Sequence, residues 1–159
     1  MVEKLISSIL GASSRFLRST DLVRDFEDPN GLDGYWLTDF GRDCLAQIAC
    51  GFSVGSGRRA WRLTGDFGSG KSSFALLLAN ALRDPNRLPH GLRAQVLKSL
   101  PMVRRSSFIP VLVAGSREPI SNAVVRALNN TMVALYTRGA KSALAEEIEE
   151  ALKHKTIPN

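Results

Sequence analysis

Gly65-Asp66-Phe67-Gly68-Ser69-Gly70-Lys71-Ser72 is the stretch on which the reading of this 159-residue chain turns. It runs as a glycine, four further residues, then glycine, lysine and serine. Its glycines admit backbone angles that side chains normally forbid. Successive N–H groups can therefore turn inward and make a concave nest for an anion, which bulky side chains would block. Lys71 would bring a flexible point charge to the β and γ phosphates of a polyphosphate, and the Ser72 hydroxyl would ligate a Mg²⁺ bridging them. A helix beginning near Gly70 adds its unpaired N–H groups and the positive end of its dipole. Average residue usage makes a chance match about a one in two hundred event in a chain of this length.

The flanks support the same reading. Arg59 to Thr64, RAWRLT, reads as a strand running into the loop, and FALLLANAL follows it as a helix that Asp84 and Pro85 end. Because Phe74 to Leu82 is apolar on nearly every side, that helix should be buried, with a sheet covering one face. After a polar, proline-containing connection, Phe108 to Ala114 (FIPVLVA) reads as a second, fully buried strand. The expected fold is thus α/β, a parallel sheet flanked by helices.

Further helices are expected on either side. One starts at Thr38 or Asp39 and carries Leu45, Ile48 and Ala49 before GFSVGSG breaks the pattern. Another follows Pro119, and its stripe Ile120, Val124, Leu128, Met132, Tyr136 is expected in the core. Amphipathic helices are also expected around Val2 to Leu10 and from Lys141 to Lys153. Phe26 to Gly34, dense in Asp, Asn, Pro and Gly, reads as turns and loop. The organisation is then a helical region with a loop over residues 1–57, and the first half of a nucleotide-binding domain over residues 58–159.

Composition bounds the alternatives. With 44% hydrophobic and 23% charged residues the chain reads as one globular domain, and no apolar run is long enough to cross a bilayer. Glu3 and interrupting serines argue against a secretory signal. Cys44 and Cys50 sit in one helical stretch and give no disulfide framework or zinc site, which fits a reducing cytoplasm. The net charge of +6 is uneven: residues 83–138 hold 9 basic and 2 acidic side chains, whereas residues 1–57 hold 5 and 8. That imbalance admits contact with DNA or RNA, although scattered arginines more often make a solvated face.

Gly65 to Ser72 resembles the Walker A motif of P-loop NTPases. Phe40-Gly41-Arg42-Asp43, opening a helix upstream, resembles the short Gly-Arg-acidic motif ahead of Walker A in AAA+ and signal-transducing ATPases, whose upstream segment packs near the adenine. An exposed Arg and Asp at a helix start explain those residues equally well. The run from YWLTDF through LTGDFGSGKSSFALLLANAL to VLVAGSREP also looks like the N-terminal part of large bacterial ATPases of phage-defence and DNA-processing loci. The resemblance implies ATP and Mg²⁺ as ligands. It implies a binding loop of Gly65, Asp66, Phe67, Gly68, Ser69, Gly70, Lys71, Ser72 and Ser73, with Ser72 also the metal ligand.

Hydrolysis in that class uses a Walker B strand ending in acidic residues, and this chain has none. Asp84 stands at a helix end, and Glu118 in a Gly-Ser-Arg-Glu-Pro turn. The expectation is therefore the N-terminal half of an ATPase lacking the Walker B strand, inactive alone, the rest of the sheet coming from a longer polypeptide or an oligomer. A nucleotide-sensing or assembly module that does not hydrolyse ATP is the alternative, and a small-molecule or nucleotide kinase is the third. No residue is assigned to catalysis. Trp61 and the two cysteines read as core, Tyr35 and Trp36 as anchors of the preceding loop, and His90 and His154 as uninvolved in metal binding.

Overall fold

The computed structural model describes residues 19–104, 108–115 and 117–136. Five α-helices follow in chain order: α1 Leu22–Glu27, α2 Asp39–Gly51, α3 Lys71–Arg83, α4 His90–Ser99 and α5 Ile120–Tyr136. Each of the first three has a legible beginning. Asp21 caps α1 by accepting from the amides of Val23 and Arg24 at 3.0 Å each, and Thr38 caps α2 by accepting from Gly41 N–H at 3.1 Å. α3 starts from Gly70 in a left-handed conformation and stops at Asp84, whose carboxylate then caps the 3₁₀ turn Pro85–Arg87.

The core is built around α3. Leu76, Leu77 and Ala81 are fully enclosed, with Phe74 and Ala79 buried beside them. α1 packs against α3, α2 packs against α4, and the 3₁₀ turn after α3 joins α3 to α4. Leu37 and Leu45 come in from the α2 side, and Leu92, Val96 and Leu100 from α4, to complete one cluster. The segment 90–99, expected only as a polar connection, is a helix because Leu92, Val96 and Leu100 recur every four residues and close this cluster.

The expected parallel sheet is not there. The described residues form helices, turns and extended segments, with no strand among them, so the α/β parallel-sheet reading is overturned. Arg59 to Thr64 and Phe108 to Ala114 are the two would-be strands. Both lack a ladder, and a strand exists only where a neighbour satisfies its backbone N–H and C=O groups. Every residue of 59–64 is exposed. Phe108 is tied to the body by its N–H to Leu82 O at 3.1 Å. Beyond it, Ile109, Val111 and Val113 face outward while Leu112 packs on the core.

Other burial expectations change for the same reason. On α5 the buried residues are Ala123 and Ala127, whereas Ile120 is 81% exposed and Val124 45%. The stripe expected as core is therefore turned away from the described body at its N-terminal end. Trp61 is 44% exposed and lies against Gly51, stacked on Phe52 with centroids 6.4 Å apart. Cys44 is half-buried and Cys50 exposed, not enclosed as small apolar groups. Tyr35 packs on the core as expected, but its neighbour Trp36 is 79% exposed. The helices expected at Val2 to Leu10 and Lys141 to Lys153, and His154, lie outside the described residues.

Candidate functional site

The loop Gly65 to Gly70 stands on the surface between an extended segment and the first turn of α3. Gly68 and Gly70 both have φ of +81°, the left-handed region where a side chain is strained. Space around either Cβ position is open, so it is backbone conformation and not crowding that calls for glycine there. Gly65 differs: a Cβ would come within 2.9 Å of Ser69 Oγ. The loop's own closure is a single turn bond, Ser69 N–H to Asp66 O at 3.2 Å. Phe67 projects from its tip, fully exposed.

α3 has no side-chain cap. Phe74 N–H makes the first helical bond, to Gly70 O at 2.9 Å, and the amides ahead of it, on Lys71, Ser72 and Ser73, meet no backbone acceptor among the described residues. A buried helix of 13 residues thus presents its uncapped positive end beside two left-handed glycines. Lys71 folds across the loop. Its ammonium donates to Gly65 O at 2.9 Å, Asp66 O at 2.6 Å and Ser69 Oγ at 3.2 Å, which holds a positive charge against the loop. Ser72 is exposed on the first helical turn, where its hydroxyl can reach a cation carried by phosphates.

A neighbour of this loop was not legible in the sequence. Thr20 Oγ1 lies 3.1 Å from Ser73 Oγ, which brings the segment ahead of α1 to the mouth of the loop. No periodicity joins residues 53 positions apart; the contact follows from the packing of α1 on α3. In the upstream Phe40-Gly41-Arg42-Asp43 segment, by contrast, Arg42 reaches α4 while Phe40 and Asp43 are exposed. Arg42 donates to Leu37 O and Gln95 Oε1 at 3.2 Å each and pairs with Asp39, and Gly41 is buried where a Cβ would crowd Leu37 Cδ1 at 2.8 Å. These contacts account for Gly41 and Arg42 structurally. No hydrogen bond or ion pair among the described residues links them to the phosphate loop.

The two described carboxylates after Lys71 are committed elsewhere. Asp84 Oδ1 accepts from Asn86 N–H and Nδ2, and Glu118 pairs with Arg126. Two more of the basic residues in the second half are also engaged: Arg83 holds Glu27 at 2.7 Å, Arg87 donates to Phe26 O at 2.8 Å, and both guanidiniums lie over the Phe26 ring. Among the described residues no group of three or more His, Cys, Asp or Glu could hold a metal ion. None of the described helices is long and apolar enough to cross a membrane.

A separate cavity of about 250 Å³ lies between α1, the end of α3, residues 108–114 and α5. Phe26, Phe108, Leu112 and Ala127 give it apolar walls, and its arginines, Arg83 and Arg126, are already paired with Glu27 and Glu118. No residue of the phosphate loop lines it. It suits an apolar group and not a triphosphate.

Comparison of the chain with protein-family models, with curated proteins and with solved structures finds no match.

Proposed function

We propose that the loop Gly65 to Ser73 binds the phosphates of a nucleoside triphosphate, ATP foremost, together with Mg²⁺. One observation carries this reading: three uncapped amides at the start of α3 converge with two left-handed glycines under the Lys71 ammonium. An anion placed there receives N–H donors, the helix dipole and a mobile cation at once. Mg²⁺ would travel on the phosphates and take the Ser72 hydroxyl as its protein ligand. Thr20, beside Ser73, would border the bound nucleotide.

Binding without turnover is the form of this function that the described residues favour. Among the described residues after Lys71 the carboxylates are Asp84, which accepts from Asn86, and Glu118, which pairs with Arg126, and neither makes a contact to the phosphate loop. The chain then acts as a nucleotide-responsive module, not as an ATPase in its own right.

The test is a titration of the purified chain with a fluorescent ATP analogue and Mg²⁺, beside phosphate-release measurements. Lys71→Ala should weaken binding by about a hundredfold or more, a loss of roughly 3 kcal/mol of charge-assisted contacts. Equal affinity in a folded Lys71→Ala protein would refute the site. Mg²⁺-dependent phosphate release that disappears in Ser72→Ala would refute binding without turnover.

A further inference from the structure

The Thr20–Ser73 pair holds one proton more than the bond between them uses. Thr20 Oγ1 and Ser73 Oγ stand 3.1 Å apart, and either can donate to the other. A hydroxyl has one O–H and two lone pairs. One of the two protons therefore lies in the shared bond, and the other meets no acceptor among the described residues. Thr131 shows the contrasting case, since its hydroxyl donates to Ala127 O at 2.9 Å, one turn back on α5, and its only proton is used there.

Thr20 is held from both sides. The carbonyl of Ser19 before it accepts from Arg24 Nη2 at 3.3 Å, and Asp21 after it donates its N–H to Asp25 Oδ2 at 2.9 Å while capping α1. Because α1 packs on α3, these bonds bring the Thr20 hydroxyl to the first turn of α3 by a route that does not pass through the loop. Both Thr20 and Ser73 are half-buried. Ser73 also carries one of the amides that meet no backbone acceptor, beside those of Lys71 and Ser72. Amide and hydroxyl thus offer two donors from one residue, at the end of the helix where its dipole is positive.

Taking Gly65 to Ser73 as the phosphate site, we propose that Thr20 is a positioning residue for it: Thr20 donates to Ser73 Oγ and so leaves the Ser73 O–H for a phosphate oxygen. An anion selects this orientation of the pair, because the reverse one puts the unused proton on Thr20 and leaves Ser73 with only lone pairs to turn toward the phosphate. A hydroxyl that already accepts one bond is also the stronger donor in the next. The segment ahead of α1 thereby bears on phosphate affinity without itself touching the phosphate.

Calorimetric titrations of the full chain with MgATP test this. Thr20→Val keeps the shape of the side chain but has no O–H, and should weaken binding by about three- to tenfold, the worth of one hydrogen bond. Thr20→Ser restores the O–H and should bind as the parent does. Ser73→Ala should lose at least as much as Thr20→Val, and Thr20→Val added to Ser73→Ala should lose nothing further, because Thr20 acts only through Ser73. A loss caused by looser packing of α1 would instead persist in the Ser73→Ala background. Parental affinity in Thr20→Val or in Ser73→Ala, no recovery in Thr20→Ser, or additive losses in the double variant would each overturn the role of Thr20. Lys71→Ala separates this role from the site itself: if it weakens binding while Thr20→Val does not, the phosphate site stands without Thr20, and if Lys71→Ala binds as well as the parent, the site falls and the role of Thr20 with it.

Discussion

Replacing glycine by alanine at two positions, Gly70 and Gly91, should change stability in opposite directions, and the reason is local. Gly70 holds φ at +81° as it enters α3, with no atom within 4 Å of a would-be Cβ. Alanine there meets no neighbour but must adopt the left-handed region, which costs about 1–2 kcal/mol. Gly91 lies within α4, equally free of neighbours, and has no positive φ. Alanine at Gly91 removes unfolded-state freedom without strain and should stabilise by about 0.5–1 kcal/mol. The same added methyl therefore separates the two variants by about 2 kcal/mol. Gly70→Asn should fall between Gly70→Ala and the parent, because a short amide side chain tolerates left-handed angles better. Urea unfolding followed by circular dichroism measures all three. If Gly70→Ala is as stable as the parent, or Gly70→Asn is no better than Gly70→Ala, residue 70 does not hold the angle on which the phosphate nest depends.

The other expectations concern single contacts. Leu77→Ala, at a side chain with no exposure in the middle of α3, should destabilise by about 2–5 kcal/mol in the same unfolding assay. Asp21→Ala removes the acceptor for two amides of α1 and should cost about 1 kcal/mol, with Asp21→Asn recovering most of it. Gly51→Ala puts a methyl where the Trp61 ring now lies and should displace that ring from Phe52. In a Trp36→Phe background the Trp61 emission should shift to the red, and an unshifted spectrum would contradict the packing.

How far the molecule was legible follows from how local each determinant is. Thr38, Gly70 and Asp84 act within a few residues of themselves, so α2 and α3 begin and end where capping chemistry places them. The phosphate loop belongs with them: glycines at 68 and 70, the bend and the reach of Lys71 are all set inside seven residues. α4 is the case where a local signal was present and missed. Leu92, Val96 and Leu100 carry a helical period, but Pro89, Gly91 and Lys98 dilute it with residues that read as connection.

What sequence pattern does not supply is the partner. FIPVLVA and RAWRLT satisfy the local requirements of strands, yet a strand is a relation between two segments, and neither finds its counterpart among the described residues. The α5 stripe makes the same point in apolar terms. Its period of four is real, but periodicity shows only that one face favours burial, and Ala123 and Ala127 occupy the place against the body while Ile120 and Val124 stay outside. Thr20 shows the converse, a contact with Ser73 that carries no pattern because packing of α1 on α3 alone creates it. Exposed apolar groups on α5 and along residues 109–113 thus belong to one region in which local preference for burial exceeds what the described fold covers.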